Sequence, residues 1–109
     1  MSDWQIVLSA EVVRWYAGLS ARELAQADQA LARLTADGIA LGMPHNRYLS
    51  EKLWELRFRC GQVNQRITYT ADHDRQLITL TTFRKKRGNE RSEITRARNA
   101  LRRHHQQKG

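Results

Sequence analysis

The chain has 109 residues, a formal net charge of +8 and one cysteine, Cys60. That length supports one hydrophobic core but not two, and a lone thiol excludes an intramolecular disulfide and any cysteine-based zinc site. No apolar run approaches the roughly 18 residues of a membrane helix, and Met1-Ser2-Asp3-Trp4-Gln5 lacks the basic-then-apolar order of a secretory signal. The expectation is a single domain over residues 1–109, cytoplasmic and away from membranes.

Trp4 to Leu8 is a short β-prone run, and Ser9 after it suits a helix N-cap. Ala10 to Leu19 places Val12, Val13, Tyr16 and Leu19 on one helical face. Ser20-Ala21-Arg22-Glu23 has the form of a capping box, and Leu24, Ala27, Leu31 and Leu34 then recur at helical spacing until Gly38. Gly42 to Asn46 reads as a loop around Pro44, the only proline. Three β-like runs follow, Leu53–Arg59, Val63–Tyr69 and Gln76–Phe83, joined by short turns. Helical periodicity returns from Ser92 to about His105 through Ile94, Ala97 and Leu101, and the tail from about residue 106 is expected to fray. The order is β-α-α-β-β-β-α, an α+β fold with its helices packed on one face of a small, mostly antiparallel sheet.

Charge is segregated along this order. Residues 1–46 carry a net −2 and residues 47–109 a net +10, so one end of the molecule projects a directional positive field suited to a polyanion. Side chains alternate on a strand. If Leu56 and Phe58 face the helices, Glu55, Arg57 and Arg59 face the other way, and Arg66 opposes Ile67 and joins them. Arg84-Lys85-Lys86-Arg87 closes the third run at the edge of that face. An open cationic sheet face fits phosphate contacts and charge stabilisation at phosphorus. Arg91 and Arg98 extend the basic surface along the final helix. None of the four histidines falls in a strand: His45 and His73 sit in loops, and His104 and His105 near the end. Tyr69 and the three tryptophans offer rings for base stacking, although Trp4, Trp15 and Trp54 each lie in or beside an apolar run that suits core packing.

Leu53-Trp54-Glu55-Leu56-Arg57-Phe58-Arg59, then Arg66-Ile67-Thr68-Tyr69, Phe83-Arg84-Lys85-Lys86, Glu93-Ile94 and Ala97-Arg98 occur in an order and spacing that resemble the phage-derived, HigB-like branch of the RelE toxin superfamily. The resemblance runs from Leu53 to about Arg103, with an Ala40-Leu41-Gly42-x-Pro44 turn typical of that group before it. It implies a RelE-like fold and the toxin of a type II toxin–antitoxin pair, an endoribonuclease that cleaves mRNA in the ribosomal A site. Its partners would be the ribosome, mRNA and a cognate helix-turn-helix antitoxin, and it would need no cofactor and no metal. Arg57 and Arg66 match positions that hold and polarise the scissile phosphate, and Lys85 and Lys86 match the basic pair that neutralises developing charge. Arg59, Arg84, Arg87, Arg91 and Arg98 would contact RNA. Glu55 stands where several relatives carry a basic residue. The proton acceptor is then Glu55, a lysine with a depressed pKa, or a ribosomal group. Two alternatives share the same charge pattern: a non-catalytic RNA- or ribosome-binding module, and a family member that has lost cleavage.

Overall fold

A computed structural model describes residues 3–108, so Met1, Ser2 and Gly109, on which part of the leader and tail expectations rest, lie outside the described residues. The elements are β1 (Gln5–Val7), α1 (Ala10–Ala17), α2 (Ala21–Asp37), β2 (Asn46–Ser50), β3 (Leu53–Cys60), β4 (Val63–Asp72), β5 (Gln76–Arg84) and α3 (Glu90–Lys108). The strands form one mixed sheet in the order β1-β5-β4-β3-β2. β1 runs parallel to β5, and the other pairings are antiparallel.

The helix starts follow the local chemistry. The Ser9 side chain accepts from the Val12 amide, and Ser20 and Glu23 complete both bonds of the capping box. α2 stops at Gly38, whose backbone has φ +58° and ψ −140°. A Cβ built there would lie 2.2 Å from the Trp4 ring. Only glycine permits both this conformation and this approach. Trp4 is held further by its amide donating to the Thr35 carbonyl at 3.0 Å and by the Arg75 guanidinium 4.7 Å from its ring centroid. Gly38→Ala is therefore expected to destabilise the protein by at least about 1–3 kcal/mol, read as a lower denaturant midpoint followed by tryptophan fluorescence.

Two features depart from the expected order. The Gly42–Asn46 loop leads into an additional strand, β2, which forms a hairpin with β3. Its turn places Glu51 and Lys52 at φ +47° and +66°, the backbone of a tight hairpin without the Asn-Gly signature that usually announces one. α3 also starts at Glu90, two residues early, and stays helical to Lys108, past the expected fraying point.

The larger correction concerns the layers. Val12, Ala30 and Leu34 from α1 and α2 pack with Leu56, Ile67, Tyr69 and Leu77 on one face of the sheet. Leu53 and Leu80 pack with Ala97 and Leu101 of α3. Leu53 and Leu56 have opposite parity on β3, so α3 covers the face opposite α1 and α2. The helices thus lie on both faces, not one. The central strand β4 shows the consequence, because all six residues from Gln65 to Thr70 are buried. Trp4, Trp15 and Trp54 pack against the first core, and Tyr69 is fully buried with Asn46 donating to its hydroxyl at 2.9 Å. None of these four rings is a free platform for a base. Val13, predicted on the inner face of α1, is instead 48% exposed; Val12 and Trp15 supply that contact.

Candidate functional site: a buried acid among arginines

The strand alternation read from the sequence places Glu55 and Arg57 together, and the register brings in the rest. Arg57 lies directly across from Arg66, Glu55 from Thr68 on one side and from Arg47 of β2 on the other. Two guanidinium groups facing each other across a strand pair repel. Glu55 answers both: its Oε1 is 3.6 Å from Arg66 Nε and 3.8 Å from Arg57 Nε. Among the described residues its Oε2 has no hydrogen-bond partner, although the residue is only 1% exposed. Buried polar atoms are normally satisfied, so an unpaired carboxylate oxygen between two arginines marks a place where a further proton or donor belongs.

The electrostatics follow from burial. Desolvation raises the Glu55 carboxyl above the ordinary glutamate value, and outweighs the lowering by Arg66, Arg57 and Arg47; Glu90 pushes in the same direction as burial. A carboxyl raised in this way is suited to exchanging a proton nearer neutrality. Arg66 is 7% exposed, and its guanidinium is lowered chiefly by burial and next by Arg57. The expected open cationic face is therefore closed at its centre. α3 packs over this face through Ala97 and Leu101 against Leu53 and Leu80, and an ion pair at 3.3 Å ties Glu90 at its start to Arg47 on the edge strand β2. Beside this pair lies a groove of about 560 Å³ lined by Arg47, Lys85, Glu90, Arg91 and Ile94.

The remaining residues divide. Lys85 reaches the groove, and Arg91 stands on its rim side of α3. Lys86 and Arg87 are exposed in the turn before α3, where the Lys86 amide is bound by Asn89 Oδ1. Arg59 is exposed beside a separate cavity shared with Gln26, Arg33 and His45 of the α2 side. Arg84 departs from the predicted set: it points to a cavity with Trp15, Glu23 and Cys60, on the face of α1 and α2. Arg98 is likewise committed elsewhere, because its guanidinium donates to the Ser50 side chain and carbonyl and pairs with Glu51 at 3.7 Å, fastening the β2–β3 turn to α3. Arg47 and Glu90, which line the groove beside the acid site, are the residues the sequence reading missed. The signal for Arg47 was the short Asn46–Ser50 run just before Leu53. Of the histidines, His45 adjoins Arg57: its carbonyl accepts from the Arg57 amide at 2.8 Å, its Nδ1 is 3.3 Å from Arg33, and it lines a cavity with Arg57 and Arg59; His73 is exposed, and His104 lies 3.5 Å from Asp72. Among the described residues no three His, Cys, Asp or Glu side chains are placed to hold a metal ion, and no helix is long and apolar enough to cross a membrane.

Residues 14–103 match the family described as Phage derived protein Gp49-like (DUF891). No curated protein matches the chain. The matched span begins in α1, ends in α3 and takes in Glu55, Arg57, Arg66, Arg47 and Glu90; the chain belongs to the Gp49-like family of phage-derived proteins.

Proposed function

We propose that this protein is the toxin of a type II toxin–antitoxin pair, an endoribonuclease that cuts mRNA in the ribosomal A site by transphosphorylation. The observation that carries the reading is Glu55: a buried carboxyl with one free oxygen, set between Arg57 and Arg66. The resemblance of the strand motifs to RelE and HigB toxins and the membership of a phage-derived family support the same reading. In it, the partly exposed Arg57 side chain shifts towards the incoming phosphate and opens the way to Glu55, whose Oε2 takes the proton of a ribose 2′-hydroxyl. The 2′-oxygen forms its bond to the adjacent phosphorus, and the bond to the 5′-oxygen breaks, leaving a 2′,3′-cyclic phosphate and a 5′-hydroxyl. Arg57 and Arg66 hold the phosphoryl oxygens, whose charge grows in the transition state, and preorganised cations are effective there because they need not reorient. The Lys85 ammonium would give the departing 5′-oxygen the proton that makes it a hydroxyl. A cognate helix-turn-helix antitoxin would restrain the activity, with charge attraction to the basic half speeding association.

Two measurements test this. Expression without the antitoxin is expected to arrest growth and to leave mRNA fragments ending in 2′,3′-cyclic phosphates. Free growth with intact message would leave the non-catalytic RNA-binding module in its place. Affinity for RNA is also expected to fall steeply with salt, log Kd changing by about 0.7 per phosphate contact for each unit of log salt on a single strand. Flat affinity between low and physiological salt would remove the phosphate-tracking surface altogether.

A further inference from the structure

We propose that the groove between β2 and the start of α3 is a second phosphate subsite, in which Arg47 and Arg91 receive the RNA backbone phosphate next to the reacting one, and Glu90 is the resident anion which that phosphate displaces. The inference rests on the ribonuclease reading, since it places the reacting phosphate at Arg57 and Arg66.

Three observations converge on it. First, the groove adjoins the acid site: Arg47, which lines it, is the register partner of Glu55, and Lys85 lines it as well. Second, its volume of about 560 Å³ falls in the range of pockets that take small organic groups, about 300–1,000 Å³. Three of its lining side chains are cationic, while Ile94 and Gly88 provide an apolar wall and an open backbone against which a sugar or base can lie. Third, Glu90 is the acid inside this cationic lining, and it pairs with Arg47 through one oxygen at 3.3 Å. Both partners are substantially exposed, 49% and 39%. Such a pair is held weakly and yields to a phosphate, which presents more oxygens to the same guanidinium. Arg91, one residue along α3, is exposed and has no carboxylate partner among the ion pairs of the described residues. A polynucleotide with its reacting phosphate at Arg66 would thus lay the neighbouring phosphate over Arg47 and Arg91 while pushing Glu90 aside.

The test compares two short RNAs that carry a 2′-deoxy sugar at the attacking position, so that neither is cut: a dinucleotide with one internal phosphate and a trinucleotide with two. Binding is followed by NMR titration at several salt concentrations. For the wild type, the trinucleotide is expected to bind more tightly than the dinucleotide, with a salt slope steeper by about 0.7. The Arg47→Ala/Arg91→Ala variant is expected to lose that increment and keep the dinucleotide affinity. Glu90→Gln is expected to tighten the trinucleotide several-fold and to leave the dinucleotide within twofold. The subsite is wrong if the double variant weakens both RNAs equally or neither, or if Glu90→Gln leaves the trinucleotide unchanged, and the ribonuclease reading survives those outcomes. If the wild type binds neither RNA at low salt, that reading fails and the subsite fails with it. Unchanged backbone amide spectra in the two variants establish that the fold is the same.

Discussion

Replacing Glu55 by Gln is expected to reduce RNA cleavage by about a hundred- to ten-thousandfold, the usual contribution of a positioned proton acceptor, and at the same time to raise the thermal midpoint at neutral pH. The two effects have one origin. Burial holds the Glu55 carboxyl above its ordinary value, so the folded chain favours the protonated form more than the unfolded chain does. The stability from this group is fully present below the unfolded value, about 4.3, and is lost as pH rises through the folded value. Glutamine has the shape of the neutral acid and does not titrate. The variant should therefore match the wild type in stability at low pH and exceed it increasingly as pH rises towards neutrality, levelling off above the folded pKa. A core residue of purely structural importance would lose stability with activity. Thermal melts from pH 3 to 8 alongside a cleavage assay separate the cases, and a variant that is inactive and less stable at pH 7 would remove Glu55 from the role of base.

Arg66→Gln is expected to cost about a hundred- to a thousandfold in cleavage, as for loss of one preorganised charge stabiliser, and to move the acid limb of the pH–rate profile to higher pH. The sign follows from the charges: Arg66 is the strongest of the cations that lower the Glu55 carboxyl, so its removal lets burial raise that group further. Arg66→Lys keeps the charge and should leave the limb near its wild-type position. It should still be slow, because an ammonium cannot reproduce the planar fork of a guanidinium against a phosphate. A profile of unchanged shape in Arg66→Gln would separate Arg66 from the proton-transfer step, and an unchanged rate would remove it from the site.

The sheet face on which Glu55, Arg57 and Arg66 lie was legible in the sequence alone, because strand alternation is a local rule. Once Leu56 and Phe58 are assigned to the core, Glu55 and Arg57 must lie on the opposite face, and Arg66 follows from its place beside Ile67. The helix starts were legible for the same reason, since Ser9, Ser20 and Glu23 act within one turn of chain. Arg84 was not legible in this way: it was grouped with the basic run at the end of the third strand, and only its pairing with Gln65 shows that it lies on the α1 and α2 face.

What the sequence by itself determined was the order of the elements it could mark by periodicity or capping, the segregation of charge into the second half, and the identity of the acid and arginines that share a sheet face. Only the tertiary structure decided whether that face was open. The path of α3 across it, the extra strand β2 with its unmarked turn and the Arg47–Glu90 pair over 43 residues of separation are contacts between segments distant in the chain, and no local pattern encodes them. They convert a solvated row of charges into a desolvated one. Burial then does what the residue types could not announce: it raises Glu55 and leaves one of its oxygens unpaired among the described residues, the two features on which its proposed role as proton acceptor rests.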